Sequence, residues 1–336
     1  MPGDDAAAAP AERAGGRHHP NPARPGGTAV SDVLIGVDIG GTEIVAGLVH
    51  DGGRVSARRS CPTPRTGGRD IVERANGLVT GLLRESAEPV RAVGVGAPGT
   101  IDPVTGRVTS CTDTVPGWLG TEIAGPLSER AGVPVAVDND VRAAAAAVAL
   151  DERVREHGRV LYVSLGTGVG GALIVDGRVL RGRFGTHGEI AHLIAPERGH
   201  LPCGCGRHDH LEAVAAGPAI AAAYAVTSGD VALTLHEVAA RLRDGEQHAA
   251  AVVERAGRLL GRTLSGLITA LDLDAVVVAG GATALGAPLL DPLSEALDAE
   301  SRPTARRTPV LRPATPDAPV LGAALVAAHH LPGGRP

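Results

Sequence analysis

Apolar positions along this chain fall into short runs that end at glycine, separated by stretches with helical spacing. The run at 33–40 leads directly into a glycine turn and is predicted to be a strand, and the apolar residues over 70–83 have helical spacing. Further strands are predicted at 43–49, 91–96, 133–137, 160–165, 172–175 and 275–279, and further helices over 251–271 and 320–330. Repeated strand, glycine turn and helix indicate an α/β fold with its chemistry at the ends of the strands.

The segment 158–177 repeats the pattern of 33–53. Each contains an apolar strand, a glycine-rich turn, a returning strand and a second turn at an Asp-Gly pair. Such an internal duplication predicts two related lobes that face a cleft.

Composition limits the possible classes of protein. With 336 residues, 43% of them hydrophobic, the chain can build two domains. A formal net charge of -5 with scattered arginines argues against nucleic-acid binding. No apolar run approaches the roughly 18 residues that span a bilayer. Residues 1–31 are rich in Pro, Ala and Gly and carry no secretory signal, so we expect a disordered tail, a cytoplasmic protein and reduced cysteines.

The sequence contains no lysine, so all 32 cationic Lys/Arg positions are arginine. This excludes the phosphate-binding lysines of P-loop enzymes and protein kinases. Any phosphate chemistry must use backbone N–H groups, arginine and Mg²⁺.

Two glycine turns are candidate phosphate-binding loops. In the first, Gly40 and Gly41 permit close approach of backbone amides to an anion, Thr42 adds a hydroxyl, and Asp38 can hold Mg²⁺. The second turn contains Gly166, Thr167 and Gly168. A single glycine pair would indicate a plain hairpin turn, but two such loops can hold one nucleotide between two lobes.

A polar cluster follows the strand predicted at 133–137. Asp140 lies at a strand-to-helix junction, where it can act as a general base, and Asn139 can form hydrogen bonds with a sugar hydroxyl. One residue of such a cluster commonly caps the helix. We assign Asp138 to that capping or structural role.

The segment 188–212 combines metal-ligand spacing with extra carboxylates. Cys203 and Cys205 with one upstream and one downstream histidine can supply the four ligands of structural zinc. Glu189 and Glu212 are then free to bind a polar substrate.

The motifs together resemble the ROK sugar kinases, within the actin, hexokinase and heat-shock ATPase superfamily. The resemblance covers about 33–330 and depends on motifs beginning at Asp38, Gly96, Asn139, Leu165, Gly188, Cys203, Leu211, Gly280 and Leu321. It implies a two-lobed actin-like (ribonuclease H-like) α/β fold, with a small lobe at 32–137, a large lobe at 138–316 and a C-terminal segment, 317–336, that packs back on the small lobe.

The resemblance also implies roles for particular residues. Asp140 corresponds to the catalytic base, and the sugar would be held by Gly99, Asn139, Glu189, His192 and Glu212. ATP with Mg²⁺ would lie at both glycine turns, with Gly280 and Gly281 on the nucleotide side. Zinc would be held by His192, Cys203, Cys205 and His210, which we favour over His200 and His208 because of its spacing.

Three departures from the family pattern are present. His210, preceded by Asp209, stands where the family usually has its third cysteine, and zinc accepts imidazole in place of thiolate. Thr114 and Val115 replace the usual Asn-Leu near the sugar. Val141 and Arg142 replace the usual Ala-Asn after the catalytic aspartate, and we expect Arg142 to face solvent.

The expected activity is phosphorylation of a hexose at its 6-hydroxyl, with glucose the first candidate. Kinases for N-acetylmannosamine, N-acetylglucosamine or fructose are the alternatives, as is a non-catalytic sugar sensor or transcriptional regulator. A regulator needs a DNA-binding module of roughly 60 residues, and we find no such pattern before Asp32. The expected partners are the hexose and ATP, and the family implies a homodimer or homotetramer.

Overall fold

Two five-stranded sheets form the framework of the described part of the protein. The structure is a computed structural model that describes residues 33–112, 115–197, 199–230, 234–301 and 307–331. The predicted tail at 1–31, Thr114 and the residues after 331 lie outside this part of the chain.

The strands and helices follow the alternation expected from the sequence. The strands are β1 Val33–Ile39, β2 Glu43–Val49, β3 Val55–Pro62, β4 Val90–Ala97, β5 Thr100–Ile101, β6 Val108–Ser110, β7 Val135–Asn139, β8 Arg159–Leu165, β9 Val169–Val175, β10 Arg178–Val179, β11 Ala275–Ala279 and β12 Val310–Leu311. The α-helices are α1 Gly68–Glu85, α2 Ala124–Ala131, α3 Asp140–Val148, α4 Glu152–Arg155, α5 Glu212–Ala215, α6 Gly217–Ser228, α7 Leu235–Arg243, α8 Gln247–Leu271, α9 Ala287–Glu300 and α10 Ala318–His330. Short 3₁₀ helices lie at Asp51–Gly53, Ile190–His192 and Gly281–Leu285.

The two large sheets have the same topology. The strand orders are β3-β2-β1-β4-β7 and β10-β9-β8-β11-β12. In each sheet the first three strands in this order pair antiparallel with one another. The fourth strand pairs parallel with the third, and the fifth pairs parallel with the fourth. The duplication predicted from the two glycine turns is therefore present in the strand order itself.

Register brings the polar strand ends together. Asp38 of β1 pairs with Gly96 of β4, which pairs with Asp138 of β7, and all three strands are parallel. Because the carboxyl ends of parallel strands meet at one edge, the residues that follow them lie side by side. The second sheet has the same parallel pairing near its strand ends, with Ser164 of β8 opposite Ala279 of β11.

Helices α3 and α10 join the two sheets. Buried residues of both helices pack with apolar residues of β2, β8, β9 and β11 in one cluster. Helix α10 approaches the first sheet so closely that a Cβ on Gly94 would lie 1.8 Å from the carbonyl oxygen of Ala323. The two sheets therefore share an apolar cluster built on these two helices.

Most predicted elements are confirmed, with small boundary shifts. Strand β7 begins at Val135 rather than 133 because Pro134 has no N–H for the ladder, and it continues to Asn139, which pairs with Ala97 of β4. Among the described residues, no helix is both long and apolar enough to cross a membrane. The lobe boundaries at 137 and 316 stay predictions.

Candidate active site

A cavity of about 640 Å³ lies where the polar strand ends of both sheets meet. It is large enough for a small polar ligand. Among the predicted site residues, those that line it are Asp38, Gly40, Gly41, Gly99, Asn139, Asp140, Gly166, Thr167, Gly168, Glu189, His192, Cys205, Glu212, Gly280 and Gly281. Thr42 does not line it; this residue is exposed, and its carbonyl oxygen accepts a hydrogen bond from the N–H of Thr63.

The two glycine loops face each other across this cavity. A Cβ on Gly41 would lie 3.8 Å from Cγ2 of Thr167. Gly280 has φ +92, and a Cβ there would lie 2.3 Å from the carbonyl oxygen of Leu165, so this position requires glycine. The three glycine turns therefore bring backbone close together around one space, where little side-chain bulk blocks an anion.

Asp38 lies at the end of β1 beneath the first loop. Burial, reinforced by the negative charge of Asp140, raises its pKa from 3.8 to about 7, against the opposing effect of Arg58. A carboxylate that is poorly stabilised by its surroundings favours a nearby cation. This environment fits the predicted contact with Mg²⁺, directly or through water.

Asp140 begins α3 and has two different carboxylate oxygens. Its Oδ1 accepts hydrogen bonds of 2.9 Å from the N–H of Val141 and from Nδ2 of Asn139. Among the described residues, none donates a hydrogen bond to Oδ2. Burial raises the pKa of Asp140 to about 6, although the Val141 N–H and the charge of Arg142 act in the opposite direction. A carboxylate with such a pKa suits proton abstraction near neutral pH.

The cap of α3 is Asn139, so of the two roles predicted for Asp138, capping or structural, capping is not the one observed. Oδ1 of Asn139 accepts hydrogen bonds of 3.1 Å from the N–H groups of Val141 and Arg142. Its Nδ2 donates to the carbonyl oxygen of Gly99 at 3.1 Å. Asn139 thus fixes the start of α3 and the Gly99 turn relative to each other. The structural role expected for Asp138 is present, but as an anion paired with arginine.

Arg142 is buried, and the prediction that it faces solvent is wrong. Its side chain is 3% exposed, and Nε donates to Oδ1 of Asp138 at 2.9 Å. The carboxylate of Asp138 one turn earlier compensates the buried guanidinium, which the sequence pattern alone did not show.

Two carboxylates and an imidazole also line the cavity: Glu189, Glu212 and His192. Glu189 precedes the 3₁₀ helix that ends at His192, and Glu212 begins α5. Buried Trp118 lines the same cavity, and its Nε1 donates to the carbonyl oxygen of Pro98 at 2.8 Å. Several acceptors beside an aromatic ring fit a ligand rich in hydroxyl groups.

The four predicted zinc ligands lie together. One donor atom from each of His192, Cys203, Cys205 and His210 lies within 4.8 Å of all the others. Sγ of Cys205 is 3.3 Å from Nδ1 of His210, and Sγ of Cys203 is 3.9 Å from Nδ1 of His192. Tetrahedral zinc with these ligands needs donor separations of roughly 3.3–3.8 Å, so the donor set fits the ion.

The residue before His210 shows how this loop tolerates its departure from the family pattern. Asp209 adopts φ +59, a conformation that favours glycine. Its buried Oδ1 accepts hydrogen bonds from the N–H groups of Gly199 (3.1 Å) and Leu201 (2.9 Å). These bonds offset the strain and place His210 in the cluster.

Sequence reasoning missed a second cavity of about 580 Å³ that adjoins the first at Asp38 and Asp140. Its wall includes buried Tyr162 together with Arg312 from the segment before α10. Burial and the two aspartates raise the pKa of Tyr162, so its hydroxyl stays neutral. No short motif indicates this cavity, because its walls come from β8, β11, α3 and the segment before α10.

Comparison with known proteins identifies the family. The ROK family profile matches residues 34–330. A glucokinase of Halalkalibacterium halodurans is 30% identical over 291 residues, covering 80% of this chain and 86% of that protein. N-acetylmannosamine kinases of Salmonella are 32% identical over 301 residues, covering 87% of this chain and 97% of theirs.

A solved structure agrees with this match. The ROK family glucokinase of Streptomyces griseus, in complex with glucose and AMPPNP, is 28% identical, with a TM-score of 0.78 over 88% of this chain and 99% of that one. The two-lobed actin-like fold expected from the motifs is therefore confirmed. With the family profile covering nearly all of the described residues, this chain belongs to the ROK family.

Proposed function

We propose that this protein transfers the γ-phosphate of ATP to the 6-hydroxyl of a hexose, with glucose the first candidate and Asp140 the general base. The observation that carries this proposal is the Asp140 carboxylate, whose pKa burial raises to about 6 and which lines a cavity bounded by both glycine loops. The enzyme class, an ATP-dependent sugar kinase, is confirmed by the relatives.

The proposed reaction is an in-line displacement. The sugar is held by Asn139, Glu189, His192 and Glu212, with Gly99 at the edge of the site. Oδ2 of Asp140 accepts the proton of the 6-hydroxyl while that oxygen forms its bond to the γ-phosphorus, and the bond to the β-phosphate oxygen breaks to release ADP. Backbone N–H groups of the two glycine loops stabilise the phosphate oxygens. Alignment in a closed cleft supplies most of the catalysis.

Two metal ions complete the proposal. Asp38 would hold Mg²⁺, which neutralises phosphate charge when bound. His192, Cys203, Cys205 and His210 would hold a structural zinc ion. Burial raises the pKa of the Cys203 thiol to about 11, so a cation would be needed to stabilise its thiolate at neutral pH.

The test is a hexose panel with Mg-ATP and coupled detection of ADP. Glucose should give ADP release well above the background without sugar. Asp140→Asn should lower kcat by about a factor of 100 or more while the protein still binds sugar, because the base acts only in the transition state. A panel with no sugar-dependent ADP release would refute the activity, and a fully active Asp140→Asn variant would refute the assigned base.

N-acetylmannosamine is the second candidate substrate, because the Salmonella kinases for this sugar share 32% identity over most of this chain. N-acetylglucosamine and fructose belong in the same panel. The highest kcat/KM among these sugars identifies the substrate. A protein that binds sugar without releasing ADP from any panel member would instead be a sensor or regulator.

The proposal also includes a cytoplasmic location and assembly as a homodimer or homotetramer. The support is family membership and cysteine chemistry, since Cys203 and Cys205 are needed as reduced ligands. Light scattering after size-exclusion chromatography would give the assembly state.

A further inference from the structure

Asp138 and two arginines form an ion-pair network beside the cavity. Arg142 donates from Nε to Oδ1 of Asp138 at 2.9 Å, and Arg181 donates from Nε to Oδ2 at 2.7 Å. Burial acts to raise the pKa of Asp138, but the two guanidinium groups lower it below its ordinary value. Asp138 therefore stays charged and can bind both arginines.

Arg142 has a second contact, and this contact reaches the other half of the molecule. Its Nη1 donates to the carbonyl oxygen of Gly185 at 2.7 Å. Asp138 is the last residue but one of β7 in the first sheet, whereas Arg181 and Gly185 lie in the segment after β10, the edge strand of the second sheet. The network therefore fixes the segment 181–188 to the end of the first sheet.

Gly188, at the end of this segment, packs against the backbone of Gly171 in β9, whereas residues 181–187 are exposed or half-buried. Gly182, Gly185 and Gly188 all have positive φ, and glycine backbone is unusually free when unconstrained. Phe184 is 76% exposed and so provides no buried anchor. The segment leads directly into Glu189, which faces the cavity.

Glu189 is thus held from both sides. It lies four residues after Gly185, which the network anchors, and three residues before His192, which belongs to the metal-ligand cluster. A buried ion pair often adds little net stability, so a geometric role accounts for this network better than stabilisation does. Arginine suits this role because its planar fork donates to two acceptors at once, whereas the lysine ammonium is a point charge.

We propose that Arg142 is a positioning residue for the sugar: through Asp138 and the Gly185 carbonyl it fixes the segment 181–188 and so holds Glu189 in the cavity. This inference rests on the proposed function, because it takes the ligand of Glu189 to be the sugar. It concerns Arg142, which departs from the usual family pattern, and it predicts that nucleotide binding changes little when this residue is replaced.

The decisive variant is Arg142→Lys. It keeps a cation beside Asp138 but cannot bond to both Asp138 and the Gly185 carbonyl. We expect the sugar KM to rise about tenfold, the loss of one well-placed hydrogen bond, with kcat and the ATP KM within about twofold of wild type. Arg142→Ala should raise the sugar KM further, and Arg181→Ala should raise it less because Arg142 keeps its contacts.

A binding measurement makes the test independent of turnover. Trp118, the sole tryptophan, lines the cavity, so its fluorescence should report the sugar Kd directly. Arg59→Ala is the matched control: Arg59 pairs with Glu85 at 2.6 Å on the surface, and its loss should change neither KM nor Kd. Thermal melting identifies any variant that does not fold. If Arg142→Ala fails to fold, Arg142→Lys and Arg181→Ala still test the inference.

The inference is overturned if folded Arg142→Lys binds sugar with wild-type Kd and KM. It is also overturned if the ATP KM rises as much as the sugar KM, which would indicate a general structural role. Wild-type protein that binds glucose without releasing ADP would contradict the proposed function, while the fluorescence comparison of Arg142→Lys with wild type would still decide this inference.

Discussion

Oε2 of Glu212 accepts a hydrogen bond of 3.1 Å from the backbone N–H of Val169, the residue that follows the second glycine loop. Glu212 lies two residues after His210, so the cysteine–histidine cluster and the candidate phosphate loop are joined by one carboxylate. The sugar side and the nucleotide side of the cavity are therefore not independent.

The first prediction concerns this bond. Glu212→Ala removes the acceptor and should raise both the sugar KM and the ATP KM, each by about tenfold. Glu212→Gln keeps an oxygen that can accept from Val169, so it should raise mainly the sugar KM. Steady-state kinetics with each substrate varied in turn provide the measurement.

Gly168→Ala is a steric probe of the same contact, since its Cβ would lie 2.7 Å from Oε2 of Glu212. An unchanged ATP KM in Glu212→Ala would show that the bond does not order the loop.

The second prediction concerns metal removal. Chelation should release one zinc ion per chain and raise the sugar KM more than the ATP KM, because His192 both belongs to the cluster and lines the cavity. Metal analysis alongside kinetics provides the measurement. His210→Ala should lose zinc, whereas His200→Ala should keep it, since His200 lies edge-to-face with His208 outside the cluster. If zinc is lost and the sugar KM stays the same, the cluster only stabilises the loop.

The third prediction concerns pH and rate. Because Asp140 must be ionised to accept a proton and its pKa is about 6, kcat/KM for the sugar should be constant above that value and fall below it. Raising the pH through the pKa removes the proton, so activity rises with pH. The profile is measured at saturating Mg-ATP. A profile that stays flat through this range would argue against Asp140 as the base.

The fourth prediction concerns pH and stability without Mg²⁺. The pKa of Asp38 is raised from 3.8 to about 7, so the folded protein holds this proton more tightly than the unfolded chain. The resulting stability is fully present below pH 3.8 and is lost as the pH rises through about 7. At alkaline pH, Asp38→Asn should therefore unfold at a higher denaturant concentration than wild type, with a free energy of unfolding larger by at most roughly 4 kcal/mol. Under acid conditions it should show no such gain.

The control for this experiment is Asp51→Asn, which changes an exposed aspartate in the turn after β2. Because this side chain is exposed, the substitution should change the free energy of unfolding little. Mg-ATP should reduce the advantage of Asp38→Asn, because a bound cation stabilises the charged carboxylate. An advantage that is the same at all pH values would contradict the burial of a charged Asp38.

The fifth prediction concerns the contact between α10 and the first sheet. Gly94→Ala would place a Cβ 1.8 Å from the carbonyl oxygen of Ala323, so the helix must move, and we expect a loss of about 3 kcal/mol or more. Gly77→Ala is the matched control, because nothing lies within 4 Å of its Cβ on the exposed face of α1. It should stabilise the protein by about 0.5–1 kcal/mol. Chemical denaturation of both variants compares them directly.

Local sequence determined a large share of the fold and of the candidate site. Strands such as 43–49 and 275–279 were predicted with their observed bounds, because apolar runs that end at glycine or at a turn leave few alternatives. The cysteine–histidine spacing and the acid at the start of α3 also indicated their chemistry, since both are local features. The family and the two-lobed fold followed from the order of these motifs and are confirmed.

Tertiary structure decided what no local pattern contains. The partners of Arg142 are Asp138 one helical turn away and the Gly185 carbonyl 43 residues away, so its burial was invisible to a motif that suggested solvent. The same network involves the cap of α3. The carboxylate of Asp138 binds Arg142 and Arg181, and the amide of Asn139 caps the helix. The pKa values of Asp38 and Asp140 arise from burial between two sheets. Sequence thus determined which chemical groups are present, and packing between distant segments determined their charge, partners and direction.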